Sequence, residues 1–344
     1  MTGIREVPAV DNNERLRDVI ELGRFAEAVR SGRVSEVMTT SDFAHLADLV
    51  DRGVKAGYLN EEVPLSYPTL GWRRDSQDFR TARDYEINAA KEVPRVAEKG
   101  EYLPHDPAIS QHEFTMKKYG WQWDLSWEAW LGDQRDLGLL GQYPVSWGVS
   151  TRYTRELVFT TQWAAHATFF TGAQGNLIDD VLDADGLAAG IAAIRQFTDP
   201  AGNLSPYMGP LYLVVPSALE FTAKRLVTSS VTVGGDENVP ANNPMFGAAS
   251  LVVNPFLDTL DSPTCWYLFC APSLRPAVRY GYLRGYEMPE IFVKDSDARA
   301  LMGGGDDPFA GSFLTDDIAF KLRFTFGTGL VDWRGALRSS GDAA

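Results

Sequence analysis

Four tryptophans crowd two carboxylates in one short stretch: Trp121, Trp123, Trp127 and Trp130 surround Asp124 and Glu128. Aromatic walls beside paired acids can form a sugar-binding cleft, with one acid protonating a leaving oxygen and the other acting on the sugar. The same spacing has a simpler account. Trp121 and Trp123 fall on one face of a strand, and Trp127 and Trp130 on one face of a helix. Together they would seal the junction between a hairpin and the helix after it.

Other chemistry finds little to work with. No Gly-x-x-x-x-Gly-Lys-Ser/Thr run occurs, and Gly303-Gly304-Gly305 leads into Asp306-Asp307, whose charge would repel phosphate. That stretch reads as a flexible loop. No Gly-x-Ser-x-Gly elbow is present to carry a hydrolase nucleophile. His112-Glu113 lacks a second histidine four residues after the first, and the chain has only His45, His105, His112 and His166. His166, placed with Trp163 and Phe170 on a long helix, reads as a buried structural histidine. Asp183-Ala184-Asp185-Gly186 has the texture of a calcium loop, but Val181 stands where the first acid belongs and Ala192 where the closing glutamate belongs. The residues therefore call for no cofactor, metal or catalytic set.

The 344 residues carry 32 Lys+Arg against 46 Asp+Glu, a formal charge of −14, with 44 % hydrophobic and 23 % charged residues. That composition excludes wholesale disorder, collagen-like repeats and a coiled-coil rod. The acidic balance argues against a chain whose main task is gripping nucleic acid, without excluding residence beside DNA. Cys265 and Cys270 are too few for a disulfide framework, and their spacing of five along a strand points them to opposite faces, as buried thiols in a reducing compartment. Met1 to Arg17 has no apolar signal region, and no apolar run approaches the roughly 20 residues of a membrane span. A cytoplasmic chain without membrane contact is expected.

The elements that must position these residues follow from periodicity. Asp11 and Glu14 have capping-box spacing, and Leu16, Val19, Ile20 and Val29 recur at helical intervals. Phe43, Leu46, Val50 and Val54 mark a second helix stopped by Gly57. Residues 58 to 82 read as irregular. Tyr85-Glu86-Ile87 and Phe114-Thr115-Met116 are arms of a long hairpin whose tip, Lys99 to Pro107, is rich in turn residues. A two-stranded ribbon of that kind is marginal alone and needs a partner surface. A short helix from Ser126 precedes a long one, expected after Pro144 and out to Phe170, apolar on two faces and so sandwiched between layers. Mixed α/β texture follows: helices over Leu187–Phe197 and Pro216–Val227, and strands over Leu211–Val215, Leu251–Val253, Trp266–Cys270, Val278–Tyr282 and Ile318–Phe326.

This order resembles the major capsid proteins of tailed bacteriophages, whose fold is named after coliphage Hong Kong 97. Trp123-Asp124-Leu125-Ser126-Trp127-Glu128 is similar to that family's return strand from its extended loop into its first helix. Leu211-Tyr212-Leu213-Val214-Val215-Pro216-Ser217-Ala218-Leu219-Glu220 resembles the strand and helix of its axial domain. Asp316 to Gly327, with Val331-Asp332-Trp333-Arg334-Gly335, is similar to the C-terminal strand and tail of the Mu-like major head subunit branch.

The resemblance spans roughly Arg83 to Gly335 and implies an α+β chain of the Hong Kong 97 type. Its parts would be an N-terminal helical arm (1–82), an extended β-hairpin loop (83–125), a peripheral domain with a spine helix (126–179), a mixed α/β axial domain (180–293), and a return to the peripheral domain with a C-terminal tail (294–344). It further implies a non-enzymatic head subunit that assembles into pentamers and hexamers of an icosahedral shell around double-stranded DNA. Portal, scaffolding and decoration proteins would be its partners, and the virion, assembled in the host cytoplasm, its location. The short segment before the hairpin reads as an uncleaved arm, with any scaffold supplied separately. Lys91, Lys99, Tyr102, Lys117 and Lys118 become contact candidates between subunits, the lysines either guarding a strand edge or meeting acidic patches on neighbours. Trp123, Trp127, Glu128 and Trp130 become the junction. Some relatives cross-link a loop lysine to an asparagine, but no partner asparagine or catalytic carboxylate can be matched here. An encapsulin-type nanocompartment shell and a glycoside-acting enzyme using Asp124 and Glu128 are the alternatives.

Overall fold

A computed structural model describes residues 40–88, 93–102, 104, 108–126, 139–198, 203–233, 240–294 and 312–342, without the side chains of 40–49, 86–88, 108–110, 139–141, 232–233 and 240–241. The first expected helix (Asp11 to Val29), Lys91, His105, Trp127, Glu128, Trp130 and Gly303–Gly305 lie outside the described residues, as do the side chains of Phe43, His45 and Leu46. In chain order come helix α1 (Thr40–Leu59), one-turn α2 (Tyr67–Leu70), strands β1 (Gly71–Arg73), β2 (Ala82–Asn88) and β3 (Ala108–Ser126), and long helix α3 (Leu139–Trp163). Strand β4 (Leu177–Ile178), helix α4 (Ala184–Arg195), strand β5 (Leu211–Val215), helix α5 (Glu220–Val227) and strands β6 (Val231–Val233), β7 (Pro240–Asn242) and β8 (Ser250–Val253) follow. The chain ends through short α6 (Leu257–Leu260) and strands β9 (Trp266–Cys270), β10 (Val278–Gly281), β11 (Glu290–Val293), β12 (Asp317–Leu330) and β13 (Ala336–Ser339). Contacts divide the chain into a smaller unit (Met1–Glu62, Tyr119–Arg152, Met288–Phe324) and a larger one (Val63–Lys118, Tyr153–Glu287, Thr325–Ala344).

The larger unit is organised on β9, Trp-Tyr-Leu-Phe-Cys, buried at every position in the strand order β4-β13-β9-β5-β8. Trp266, Leu268 and Cys270 join Leu187, Ile191 and Ile194 of α4 and Ala223 and Val227 of α5 in one core. On the other face Tyr267 and Phe269 each meet the Trp163 ring edge-on at 4.9 Å. Burial on both faces explains the unbroken apolar run, since only a half-exposed strand needs alternation. Asp183 caps α4 by accepting from the Gly186 N–H at 2.7 Å, which gives the first Asp of Asp-Ala-Asp-Gly a helix-capping role. Both cysteines are buried and free, and burial pushes the Cys270 thiol up to about 12.

In the same unit β1 runs parallel to β10, β10 antiparallel to β12 (Val278↔Leu330 to Gly281↔Gly327), and β2 antiparallel to β3 (Ala82↔Phe114 to Asn88↔Ala108). Phe114 lies across two glycines. A Cβ on Gly281 would come within 1.8 Å of the Arg74 carbonyl oxygen and 3.1 Å of the Phe114 ring. One on Gly327 would come within 2.6 Å of Met116 Sδ. Tyr67 of α2 packs on Tyr280 at 4.8 Å and Phe326 at 5.3 Å.

The smaller unit is built on a close helix crossing. A Cβ on Gly57 of α1 would sit 2.0 Å from the Val145 carbonyl oxygen, and one on Gly148 of α3 would sit 2.2 Å from that of Val54. Val50, Val54 and Trp147 then share a core with Leu125 of β3 and Ile318, Phe320, Leu322 and Phe324 of β12. Those β12 residues alternate with more exposed ones, as their period of two requires.

Several boundaries differ from expectation, each for a local reason. Helix α1 continues through Gly57, which serves the crossing instead of a stop, and ends at Leu59. Helix α3 starts at Leu139, before Pro144, and ends at Trp163, short of Phe170. The Ala165 N–H leaves the helix ladder to donate to Tyr267 Oη at 3.1 Å, with Ala165 at φ +49°. His166 thus falls in a turn, half-buried, with Nδ1 3.3 Å from Thr168 Oγ1, and is not a buried helical residue. Helix α5 begins at Glu220 after a tighter turn over Ser217–Leu219. Residues 58 to 82 contain α2 and β1, and β12 runs on to Leu330.

The crossing predicts that Gly148→Ala destabilises the chain. Alanine's helix preference over glycine, about 1 kcal/mol, opposes an overpacking cost of about 1–3 kcal/mol. A net fall in urea unfolding midpoint checks this; an unchanged or higher midpoint contradicts the crossing.

Candidate assembly surface

Among the described side chains, one face of the ribbon β2–β3 lies in solvent. Arg83 and Tyr85 on β2, opposite Glu113 and Gln111 on β3, are all exposed, Tyr85 by 65 %. Past Asn88 the described residues form neither helix nor strand, and Val93 (88 %) and Tyr102 (85 %) are among the most exposed large side chains. The Ala97–Gly100 turn closes with the Gly100 N–H donating to the Ala97 carbonyl at 2.8 Å and sets Lys99 at φ +61°. Lys99, Lys117 and Lys118 are exposed.

The ribbon's other face is rooted. Asp84 accepts from the buried Arg279 and lies 3.2 Å from Arg74, while Arg83 and Glu113 pair across the strands at 3.2 Å. The exposed Arg83–Glu113 pair contributes about 0–1 kcal/mol. Arg279 is only 1 % exposed, and a charge so placed requires Asp84.

Of the residues singled out at the junction, Trp123 is half-buried on Phe320 (5.5 Å) and Tyr143 (4.4 Å), whereas Trp121 is 57 % exposed. Asp124 is exposed and accepts from Gln122 Nε2 at 3.0 Å.

A profile of the phage capsid protein family matches residues 111–339, well over half of the sequence. The chain belongs to this family. Two solved structures share its fold at low identity. The capsid structure of cyanophage P-SCSP1u is 14 % identical with a TM-score of 0.52, covering 81 % of this chain and 89 % of that one. A structure from Mycobacterium phage Adephagia is 12 % identical with a TM-score of 0.51, covering 90 % and 99 %. No curated protein matches at a significant level. The α+β architecture of this capsid-family chain is of the Hong Kong 97 type.

One site in the larger unit escaped the sequence reading. Glu156 of α3, 1 % exposed, accepts from the Ser66 N–H (2.8 Å), the Ser66 hydroxyl, the Tyr67 N–H (3.4 Å) and Asn254 Nδ2 (3.2 Å). The cluster ties the start of α2 and the residue after β8 to the long helix. Its neighbour Arg155 points elsewhere, donating to the Glu287 carbonyl at 2.7 Å and lying 4.8 Å over the Tyr282 ring. A signal for Glu156 existed: it shares the stripe Glu156, Phe159, Thr160, Trp163 at spacings of three, four and seven.

Burial raises the Glu156 carboxyl above the usual range, against the hydrogen bonds from Ser66, Tyr67 and Thr160 that pull it down. The folded state therefore holds this proton more tightly than the unfolded state. The resulting stability is complete below the ordinary glutamate value of about 4.3 and is lost as pH rises through the raised folded value. As pH rises above the ordinary glutamate value, wild type should lose more stability than Glu156→Gln, which cannot titrate. Parallel midpoint-versus-pH curves for the two proteins contradict this.

Proposed function

We propose that the chain is the major head subunit of a tailed bacteriophage, assembling through copies of itself into pentamers and hexamers of an icosahedral shell around double-stranded DNA. The observation that carries the reading is the ribbon: a rooted two-stranded arm whose outer face and described tip residues lie in solvent, within a chain of the phage capsid family. A subunit that must close a shell needs such long, non-compact elements to bury against neighbours, each contact joining different surfaces. The acidic balance of −14 suits a container wall that leaves DNA mobile during packaging.

Within this reading residues 1–82 are the arm, 83–125 the extended loop, 126–179 and 294–344 the peripheral domain with its tail, and 180–293 the axial domain. Lys91, Lys99, Tyr102, Lys117 and Lys118 face adjacent subunits, and the Trp123–Trp130 stretch joins loop to spine helix. The C-terminal strand and tail support a place in the Mu-like branch. Portal, scaffolding and decoration proteins are the further partners, assembly occurs in the host cytoplasm, and no catalytic role is assigned.

Deleting Lys99 to Ser110 removes the tip and the first paired residues of β3 while leaving both cores intact. The variant should keep a native far-ultraviolet circular dichroism spectrum and yield no fast-sedimenting particles under conditions where wild type forms them. Normal particles from the deletion refute the role of the loop.

A further inference from the structure

The outer side of α5 in the larger unit carries a cleft of about 670 Å³. Phe221 and Leu251 supply its apolar surface, and Lys224, Arg225 and Thr228 its polar edge. The inner residues of this helix, Ala223 and Val227, are buried in the core, yet Phe221 is 78 % exposed. An apolar surface rimmed by polar groups in this way marks a contact site. Lys224 lies 5.7 Å over the Phe221 ring and is already paired with Glu220 one turn away, whereas Arg225 engages no carboxylate among the described residues and is the cation left to a partner. Two adjacent cations beside an apolar floor, on a chain of charge −14, fit an acidic partner with an apolar anchor.

The chain itself displays such an anchor. The turn Ser312–Asp317 entering β12 is closed by the Ser312 N–H donating to the Asp317 carbonyl (3.0 Å) and the Asp316 N–H to the Ser312 carbonyl (2.9 Å). The Ser312 and Thr315 hydroxyls lie 2.9 Å apart, and Asp316 takes φ +48°. This braced turn holds Leu314 89 % and Phe313 77 % exposed, with Thr315 between them and the carboxylates of Asp316 and Asp317. A loop so fixed has little ordering entropy left to lose on binding.

We propose that Leu314 and Phe313 of one copy seat in the Phe221–Leu251 cleft of a neighbouring copy, with Asp316 and Asp317 against Lys224 and Arg225. The partner is a second copy of this chain, and the inference rests on the capsid reading above. Turn and cleft are different surfaces, so the contact is heterologous: repeated with a closing rotation it makes a ring. The charges set register and suppress wrong pairings, while the apolar pair supplies adhesion.

The test uses trans cross-linking. Chains carrying Phe221→Cys and chains carrying Leu314→Cys are co-expressed, and assembled particles are run on a non-reducing gel; Cys265 and Cys270 are buried and contribute little background. A reducible dimer band, absent when either variant is expressed alone, supports the contact. Particles that form without that band overturn it and leave the capsid reading standing. Where the cysteine variants form no particles, charge exchange decides. Arg225→Glu should lower particle yield by about tenfold, as for a contact hot spot, and adding Asp317→Lys should restore it. No loss with Arg225→Glu, or no recovery in the double variant, overturns the contact. A wild-type chain that forms no particles under any condition overturns the capsid reading itself, and this inference with it.

Discussion

Phe114 of β3 lies over Gly281 and Gly327, and on β2, two residues from its cross-strand partner Ala82, the Asp84 carboxylate meets the buried Arg279. Everything the β2–β3 ribbon can do depends on this root. A two-stranded ribbon has no second layer of its own, so its direction must be set where it leaves the core. Side-chain-free positions let the Phe114 ring approach the backbone. The ion pair then holds the adjacent strand, since Arg279 has no access to water in exchange for Asp84.

The same economy recurs deeper in the larger unit. A single carboxylate, Glu156, gathers the start of α2 and the turn after β8 onto α3. Apolar packing around Tyr67, Tyr280 and Phe326 is nondirectional; the hydrogen bonds to Glu156 supply the geometry. A buried carboxyl is tolerable there because its bonds come from partners that also need satisfaction, the orphan N–H groups at the start of a helical turn among them.

Much of this was legible in the residues. Period-two alternation from Ile318 to Phe324 and the unbroken apolar run from Trp266 to Cys270 fall on strands, and Tyr85-Glu86-Ile87 does pair in a hairpin with the chain before Phe114. What could not be read were tertiary overrides. Gly57 looks like a helix stop and is a helix contact; Pro144 looks like a helix start and lies inside one. The end of α3 depends on Tyr267, distant in sequence, capturing the Ala165 N–H. The hairpin's second strand continues past Phe114 because β12 replaces β2 as its neighbour, which no local pattern reveals. Of the proposed junction, Trp123 sits on Phe320 and Tyr143, while Trp121, alike in residue type and strand parity, stays in solvent.

The claim on which the account turns is that this chain closes shells with copies of itself. Electron microscopy of the purified chain, expressed alone and together with the neighbouring genes of its source, tests it most directly. The account predicts closed polyhedral particles, with five- and six-fold capsomers visible in class averages. A uniformly monomeric, folded protein under both conditions would contradict it.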